Sequence, residues 1–257
     1  MRLSGLILLL MSCFPSFAGI VILNGLSHTH ENAGGVVVSG KIKVQNNGKK
    51  EARIMIYHED LMVSCDKPID YTKVNSHDRS LGTWIKTNID EKVLEGNEIY
   101  DIAYTITLPK DLKGSYWSVI MIEGADPIKE DVENGVKIDS KVRYAILVVA
   151  HAGTLENPKI GFEQMKIVPK DSVSQTLHVK LKNNGIFVVP AKLSIEIYDA
   201  GGKKIKTAET ILRRIYPEKC TEFELVIKDL AKGKYEGVLI ADNGKDLYGA
   251  NINLDIN

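Results

Sequence analysis

The sequence predicts an all-β protein, with two tandem immunoglobulin-like sandwiches behind an export signal. Three observations carry that prediction. Apolar residues recur with period two, the pattern of half-buried strands, and no segment shows a helical stripe of useful length. Three sequence blocks occur twice, in the same order, more than a hundred residues apart. Each half holds about seven short strands with regular turns between them, which is the immunoglobulin-like pattern.

The elements follow in chain order. Arg2 supplies a positive start, Leu6 to Met11 a short apolar run, and Ser16-Phe17-Ala18 a small-x-small cleavage site before Gly19. Residues 1–18 are therefore expected to be a signal peptide, too short in its apolar part for a membrane span of about 20 residues. This directs the protein to the periplasm or the exterior of a bacterium. A second reading stays open: Leu10-Met11-Ser12-Cys13 resembles a lipoprotein box, in which Cys13 would be acylated and anchor the chain.

Domain one is expected over residues 19–152, a linker over 153–158 around Gly153 and Pro158, and domain two over 159–257. In domain one Val36, Val38, Ile42 and Val44 alternate with smaller or polar residues; Leu177, Val179 and Leu181 do so in domain two. Both runs end in Asn-Asn-Gly, at Asn46-Asn47-Gly48 and Asn183-Asn184-Gly185, a turn signal because Asn and Gly tolerate positive φ. The next strands match as well, with Ala52, Ile54, Ile56 and Tyr57 against Leu193, Ile195, Ile197 and Tyr198. Tyr104, Ile106 and Leu108 fall opposite Phe223, Leu225 and Ile227. The third block, Leu112, Gly114 and Tyr116 against Leu230, Gly233 and Tyr235, reads as a pair of tyrosine corners, each phenol turned back onto upstream backbone. Trp117 is expected to point to the opposite face.

Where the copies differ is the place to look for function. From Gly48 to Gly114 is 66 residues, but from Gly185 to Gly233 only 48. About 18 extra residues therefore fall between Glu59 and Asn88, a segment with Ser64-Cys65-Asp66-Lys67-Pro68 and Arg79-Ser80-Leu81-Gly82-Thr83-Trp84. The last strands differ too. Domain two ends in alternation through Ile256, whereas Arg143 to Ala150 is apolar on both faces and needs cover on both. Domain two or the extra segment supplies that cover in one reading; in the other, the strand receives a partner by β-augmentation. Arg79 and Trp84 carry a similar choice, between a partner groove and an Arg stacked on its own Trp. Cys65 and Cys220 stand in different domains, which favours two separate thiols over a bridge.

Formal net charge is zero without a basic stripe, which excludes nucleic-acid binding. No Gly-x-Ser-x-Gly elbow or phosphate loop occurs, so no catalytic residue and no cofactor is predicted. His28-Thr29-His30 with Glu31, His58-Glu59-Asp60 and His77-Asp78 lack a third ligand at metal spacing, and the acidic Asp126 to Glu133 lacks calcium-loop order. No metal is expected.

Asn46-Asn47-Gly48 with its following strand, Arg79-Ser-x-x-x-Trp84-Ile85 and Pro109-x-Asp111-x-x-Gly114-x-Tyr116 together resemble the first domain of PapD-like proteins over residues 35–150. That superfamily holds the periplasmic pilus chaperones and, more distantly, surface proteins that interact with WxL cell-wall proteins; fibronectin-like domains share the sandwich. The resemblance implies a non-enzymatic, protein-binding role in fimbrium or surface assembly. It also implies that the last strand of domain one offers alternating apolar residues, here Val142, Tyr144, Ile146 and Val148, to an incomplete subunit. Lys141 or Arg143 would then supply a cation for the subunit's terminal carboxylate, with Arg79 and Trp84 nearby. One departure stands out: the Tyr-Arg-Pro ending of such chaperones is replaced by Val148-Val149-Ala150. A structural or adhesive surface protein is the alternative.

Overall fold

The structure, a computed structural model, describes residues 19–125, 128–129, 139–171 and 174–256. The signal segment, Cys13 and most of the acidic stretch after Ala125 lie outside these. Domain one contains β1 (Ile20–Ile22), β2 (Ser27–His30), β3 (Val37–Asn46), β4 (Ala52–Met62), β5 (Asp70–Lys73), β6 (Ile85–Thr87), β7 (Glu91–Leu94), β8 (Ile99–Thr107), β9 (Gly114–Gly124), β10 (Ile128–Lys129), β11 (Asp139–Ser140) and β12 (Arg143–Ala152). Domain two contains β13 (Ile160–Pro169), β14 (Ser174–Asn183), β15 (Val189–Tyr198), β16 (Lys204–Glu209), β17 (Arg213–Ile215), β18 (Cys220–Lys228), β19 (Gly233–Asp242) and β20 (Leu247–Ile256). A single 3-10 turn, Gly82–Trp84, is the one helical piece among the described residues. No helix there is long and apolar enough to cross a membrane.

Each domain is built on two sheets face to face, and domain one adds the two-stranded ribbon β10-β11. In domain one the order β1-β3-β8-β6 packs against β2-β12-β9-β4-β5, with β7 on the start of β4. In domain two β13-β14-β18 packs against β16-β15-β19-β20, with β17 on the start of β15. The period-two pattern reports this directly: Ile42, Val44, Ile54, Ile56, Ile102, Tyr104 and Ile106 fill one core, and Leu177, Val179, Leu193, Ile195, Phe223 and Leu225 the other. The first segment of the chain is shared between sheets. β1 runs antiparallel to β3, and four residues later β2 joins the opposite sheet, parallel to β12.

The repeated Asn-Asn-Gly turns are held differently from the expectation. Neither Asn nor either Gly takes positive φ. Instead the first Asn of each is buried and acts as a hub: Asn46 Nδ2 donates to the carbonyls of Lys50, Leu94 and Glu95, and its Oδ1 accepts from Gly48 N–H. Asn183 does the same, donating to Phe187 and Ile215 and accepting from Gly185. A short amide can satisfy several orphaned backbone groups at once, which is why both copies keep it.

The third repeated block diverges. Tyr235 Oη donates to the carbonyl of Ala231 at 2.9 Å, the predicted corner. Tyr116 forms no such bond among the described residues. Its ring is bracketed by Trp84, edge-on at 5.7 Å between centroids, and by the Arg79 guanidinium at 5.9 Å. Tyr116 therefore anchors the extra segment by ring packing rather than closing a corner.

Candidate functional site

The two-sided strand β12 is covered from three directions. One face, Ile146, Val148 and Ala150, lies in the core of domain one, with half-buried Tyr144 beside it donating its hydroxyl to the carbonyl of Ile20 at 2.7 Å. The other face, Leu147 and Val149, packs with Trp117, Val119, Met121 and Leu61 of domain one and Val188 and Tyr216 of domain two. Along the edge, β2 pairs with Leu147 to Ala150. The side chains of Ile146 and Val148 thus point inward, and only by its backbone can that part of the strand meet a partner.

The first half of β12 is different. Backbone groups of even-numbered residues bond to β9, as Val142 does when its carbonyl accepts from Gly124 N–H. Odd-numbered residues face away: Leu147 N–H reaches the carbonyl of Leu26 at 3.0 Å. By the same alternation the N–H and C=O of Arg143 and Ala145 face outward, and no described strand pairs with them. Beside this open edge Val142 is 42% exposed. Lys141 Nζ lies 3.4 Å from Glu123 Oε1, and Arg143 Nη1 donates to Tyr57 Oη, which donates in turn to Glu123 Oε2 at 2.8 Å. The Tyr57 hydrogen bond, with Lys141 and Arg143 behind it, holds the Glu123 carboxyl below its usual range. Both predicted cations are thus present at the edge, Lys141 engaged by the half-buried Glu123 carboxylate and Arg143 by the Tyr57 hydroxyl.

Arg79 and Trp84 sit elsewhere, at the junction of the domains. Arg79 Nη1 lies 3.5 Å from the carbonyls of both Ser115 and Ile186, so it stacks on Tyr116 and spans to domain two, and Trp84 backs the same ring. The loop that carries Arg79 is fixed by Asp60 of the His58-Glu59-Asp60 run. Asp60, fully buried, accepts from Ser76 N–H, Ser80 Oγ and Ser118 Oγ at 2.9, 2.7 and 2.6 Å. His77 lies 3.8 Å from Asp60 and stacks on Trp117 at 4.6 Å; burial holds its pKa down although Asp60 opposes this.

The extra segment also delivers a bridge. Cys65 and Cys220 form a disulfide across the domains, with their Cα atoms 4.5 Å apart. This corrects the expectation of two separate thiols: the extended end of β4 carries Cys65 over domain two, a proximity that a sequence separation of 155 conceals. Close by, Lys180 pairs with Asp66 at 3.2 Å, and Arg214 Nη2 donates to Ser27 Oγ at 2.7 Å. A second seam runs through Ser115. Its N–H donates to the Ile186 carbonyl at 2.8 Å, and its Oγ accepts from Val188 N–H at 2.6 Å and meets His151 Nδ1 at 2.7 Å. The other ring nitrogen of His151, Nε2, faces Glu31 at 3.8 Å. Gly114 makes room for this seam: at φ +95°, a Cβ there would stand 2.4 Å from the Ile186 carbonyl oxygen.

His28 and His30, also weighed as metal ligands, converge on one phenol. His28 Nδ1 and His30 Nε2 lie 2.9 and 2.8 Å from Tyr104 Oη, across the sandwich. Tyr104 enters the core because Gly40 faces it; any Cβ at residue 40 would lie 2.2 Å from the ring. Burial pushes the Tyr104 hydroxyl up to about 12, so it remains a phenol.

No protein-family model and no curated protein matches the sequence. Solved structures do. A chaperone–tip adhesin complex of CFA/I fimbriae biogenesis aligns at TM-score 0.50 and 14% identity, over 93% of this chain and 99% of that one. The chain has the PapD-like two-domain fold. The class 5 fimbriae chaperone CfaA aligns at 0.49 with 15% identity, over 93% and 99% of the two chains. A Salmonella enterica complex of SafA pilin with the SafB chaperone aligns at 0.45 with 12% identity, over 93% and 98%. The last strand of the first domain is β12, and among the described residues its second half is paired with β2 while its first half has no strand on its outer edge.

Proposed function

We propose that the protein is an exported, non-enzymatic chaperone-like module that captures an extended segment of a fimbrial or surface subunit. The segment adds as a strand to the open edge of β12 at Arg143 and Ala145. The observation that carries this reading is that edge: two residues with outward backbone donors and acceptors, at the end of a strand otherwise fully covered. Unpaired edge groups are a template for another strand, and proteins usually block them. The PapD-like fold supports the reading, since the solved proteins that share it include fimbrial chaperones. Lys141, Val142 and Arg143 would flank the incoming segment, and an acidic group on it would compete with Glu123 and the Tyr57 hydroxyl for the two cations.

Proline at Ala145 tests this. It removes an outward N–H while leaving the ladder to β9 intact, which an edge strand tolerates. Coexpressed with fimbrial or surface subunits of the same cell, the native chain should co-purify with one and Ala145→Pro should not, with unchanged circular dichroism. Equal recovery with both chains rules the edge out. The structural or adhesive alternative predicts no complex with either.

A further inference from the structure

β2 covers Leu147 to Ala150 with only four residues, Ser27-His28-Thr29-His30, and these are polar. Such a short parallel pairing has little apolar surface of its own to hold it. Bonds at its two ends hold it, from Arg214 to Ser27 and from Ala33 N–H to the His151 carbonyl, and between them the pair of imidazoles on Tyr104 ties it to the core.

The proton arrangement follows from donors and acceptors. The Tyr104 O–H needs an acceptor inside the sandwich, and the two ring nitrogens are the groups bonded to it, so it gives to one imidazole and can receive from the other. His28 Nε2 is buried without a partner, and a buried N–H left unpaired is costly. His28 therefore carries its proton on Nδ1 and donates it to Tyr104, and Tyr104 donates to His30 Nε2. That nitrogen's lone pair is thus in use. Protonating it removes the acceptor of the buried phenol and places a cation beside a second imidazole in the sandwich.

We propose that β2 is an acid-releasable cover on β12: His28 and His30 clasp Tyr104 and keep the second half of the edge closed, and protonation of His30 frees the strand, doubling the edge open to an extended segment. This rests on the edge reading given above and adds its regulation. The surroundings offer little to offset the new charge. Among the described residues Glu31 faces His151, Lys41 on β3 pairs with Asp101 at 3.2 Å, Arg214 of domain two contacts Ser27, and Tyr104 is the one titratable group that β8 brings to the imidazoles.

The sign is fixed by burial, which with His28 lowers the His30 pKa from its ordinary 6.5 while β2 is docked. The released strand binds the proton more tightly, so docking is full above about pH 6.5 and weakens as pH falls below it. One such group changes the docking equilibrium by at most about tenfold between about pH 7.5 and about pH 5.5, the limit in which docked His30 takes up no proton.

Amide hydrogen exchange of the purified chain, corrected for the intrinsic rate at each pH, tests it without any partner. Leu147, whose N–H reaches Leu26, should lose several-fold and at most about tenfold in protection between those two pH values. Ile146, whose N–H faces β9, should not change. His30→Gln keeps an acceptor for Tyr104 but cannot titrate, so its Leu147 protection should be flat; Tyr104→Phe should leave Leu147 poorly protected at both values. Leu147 protection that is constant in the native chain, or that falls equally in His30→Gln, overturns the proposal. Because no partner enters, a failure of the Ala145→Pro experiment would leave this result standing, and the reverse.

Discussion

Tyr104 and Phe223 occupy the same position in the two copies of one domain, and both are fully buried. One carries a hydroxyl and the other does not. In domain two the strand below Phe223 needs nothing further, since the ring fills the core and Arg213 lies over it at 5.8 Å. In domain one the hydroxyl is met by two histidines on a strand that has crossed from one sheet to the other. The same contrast recurs at each point where the copies part. Gly233 has its nearest neighbours at 3.6 Å, but Gly114 sits against domain two. Three residues beyond Tyr198 stands exposed Gly201; three beyond Tyr57 stands buried Asp60. Domain two keeps the plain sandwich. Domain one has taken polar residues into its interior wherever it meets β2, the extra segment or the other domain.

The contrast can be broken one position at a time. The largest effect is expected from the bridge that only the extra segment makes possible. A disulfide closing so long a loop contributes about 4 kcal/mol, so Cys65→Ser with Cys220→Ser should lower the urea midpoint by that equivalent. A loss below about 1 kcal/mol would mean that the domain seam holds without it. Next comes Asp60→Ala, which takes an acceptor from one backbone N–H and two hydroxyls, of which Ser118 keeps the Trp117 carbonyl; about 3 kcal/mol should be lost in thermal or urea unfolding. Gly114→Ala should cost about 2 kcal/mol more than Gly233→Ala, measured in the same way, because only the first meets a backbone oxygen. Equal costs would show that the Ser115 seam yields easily. Smallest is the pair of phenols. Tyr104→Phe, which makes domain one resemble domain two, should cost about 1–2 kcal/mol, and Tyr235→Phe, with one exposed bond, under about 1 kcal/mol.

Much of this was legible in the sequence because it is local. Strand alternation, the duplicated Asn-Asn-Gly and the aligned Tyr104 and Phe223 all express periodicity or repetition within a few residues. The chain could also be seen to be longer between Glu59 and Asn88 and apolar on two faces after Val142. The direction of that apolar strand was not legible: alternation places Ile146 and Val148 on one face but does not say which face is inward. Contacts between distant segments were hidden for the same reason. Cys65 and Cys220 meet only because β4 extends over domain two, and Tyr116 lost its corner because Trp84 and Arg79 arrive from the extra segment. His28-Thr29-His30 did carry a usable signal. Two histidines on one strand face, with a Tyr where the other copy has Phe, mark a polar contact inside an otherwise apolar core.

The most direct test of edge capture is residue-resolved hydrogen exchange on the complex with a co-purified subunit. The Arg143 and Ala145 amides, open in the free chain, should gain at least about tenfold protection on binding, while Ile146, already paired with β9, stays as it was. Unchanged exchange at Arg143 and Ala145, with protection appearing elsewhere on the surface, would contradict the assignment of this edge as the binding site.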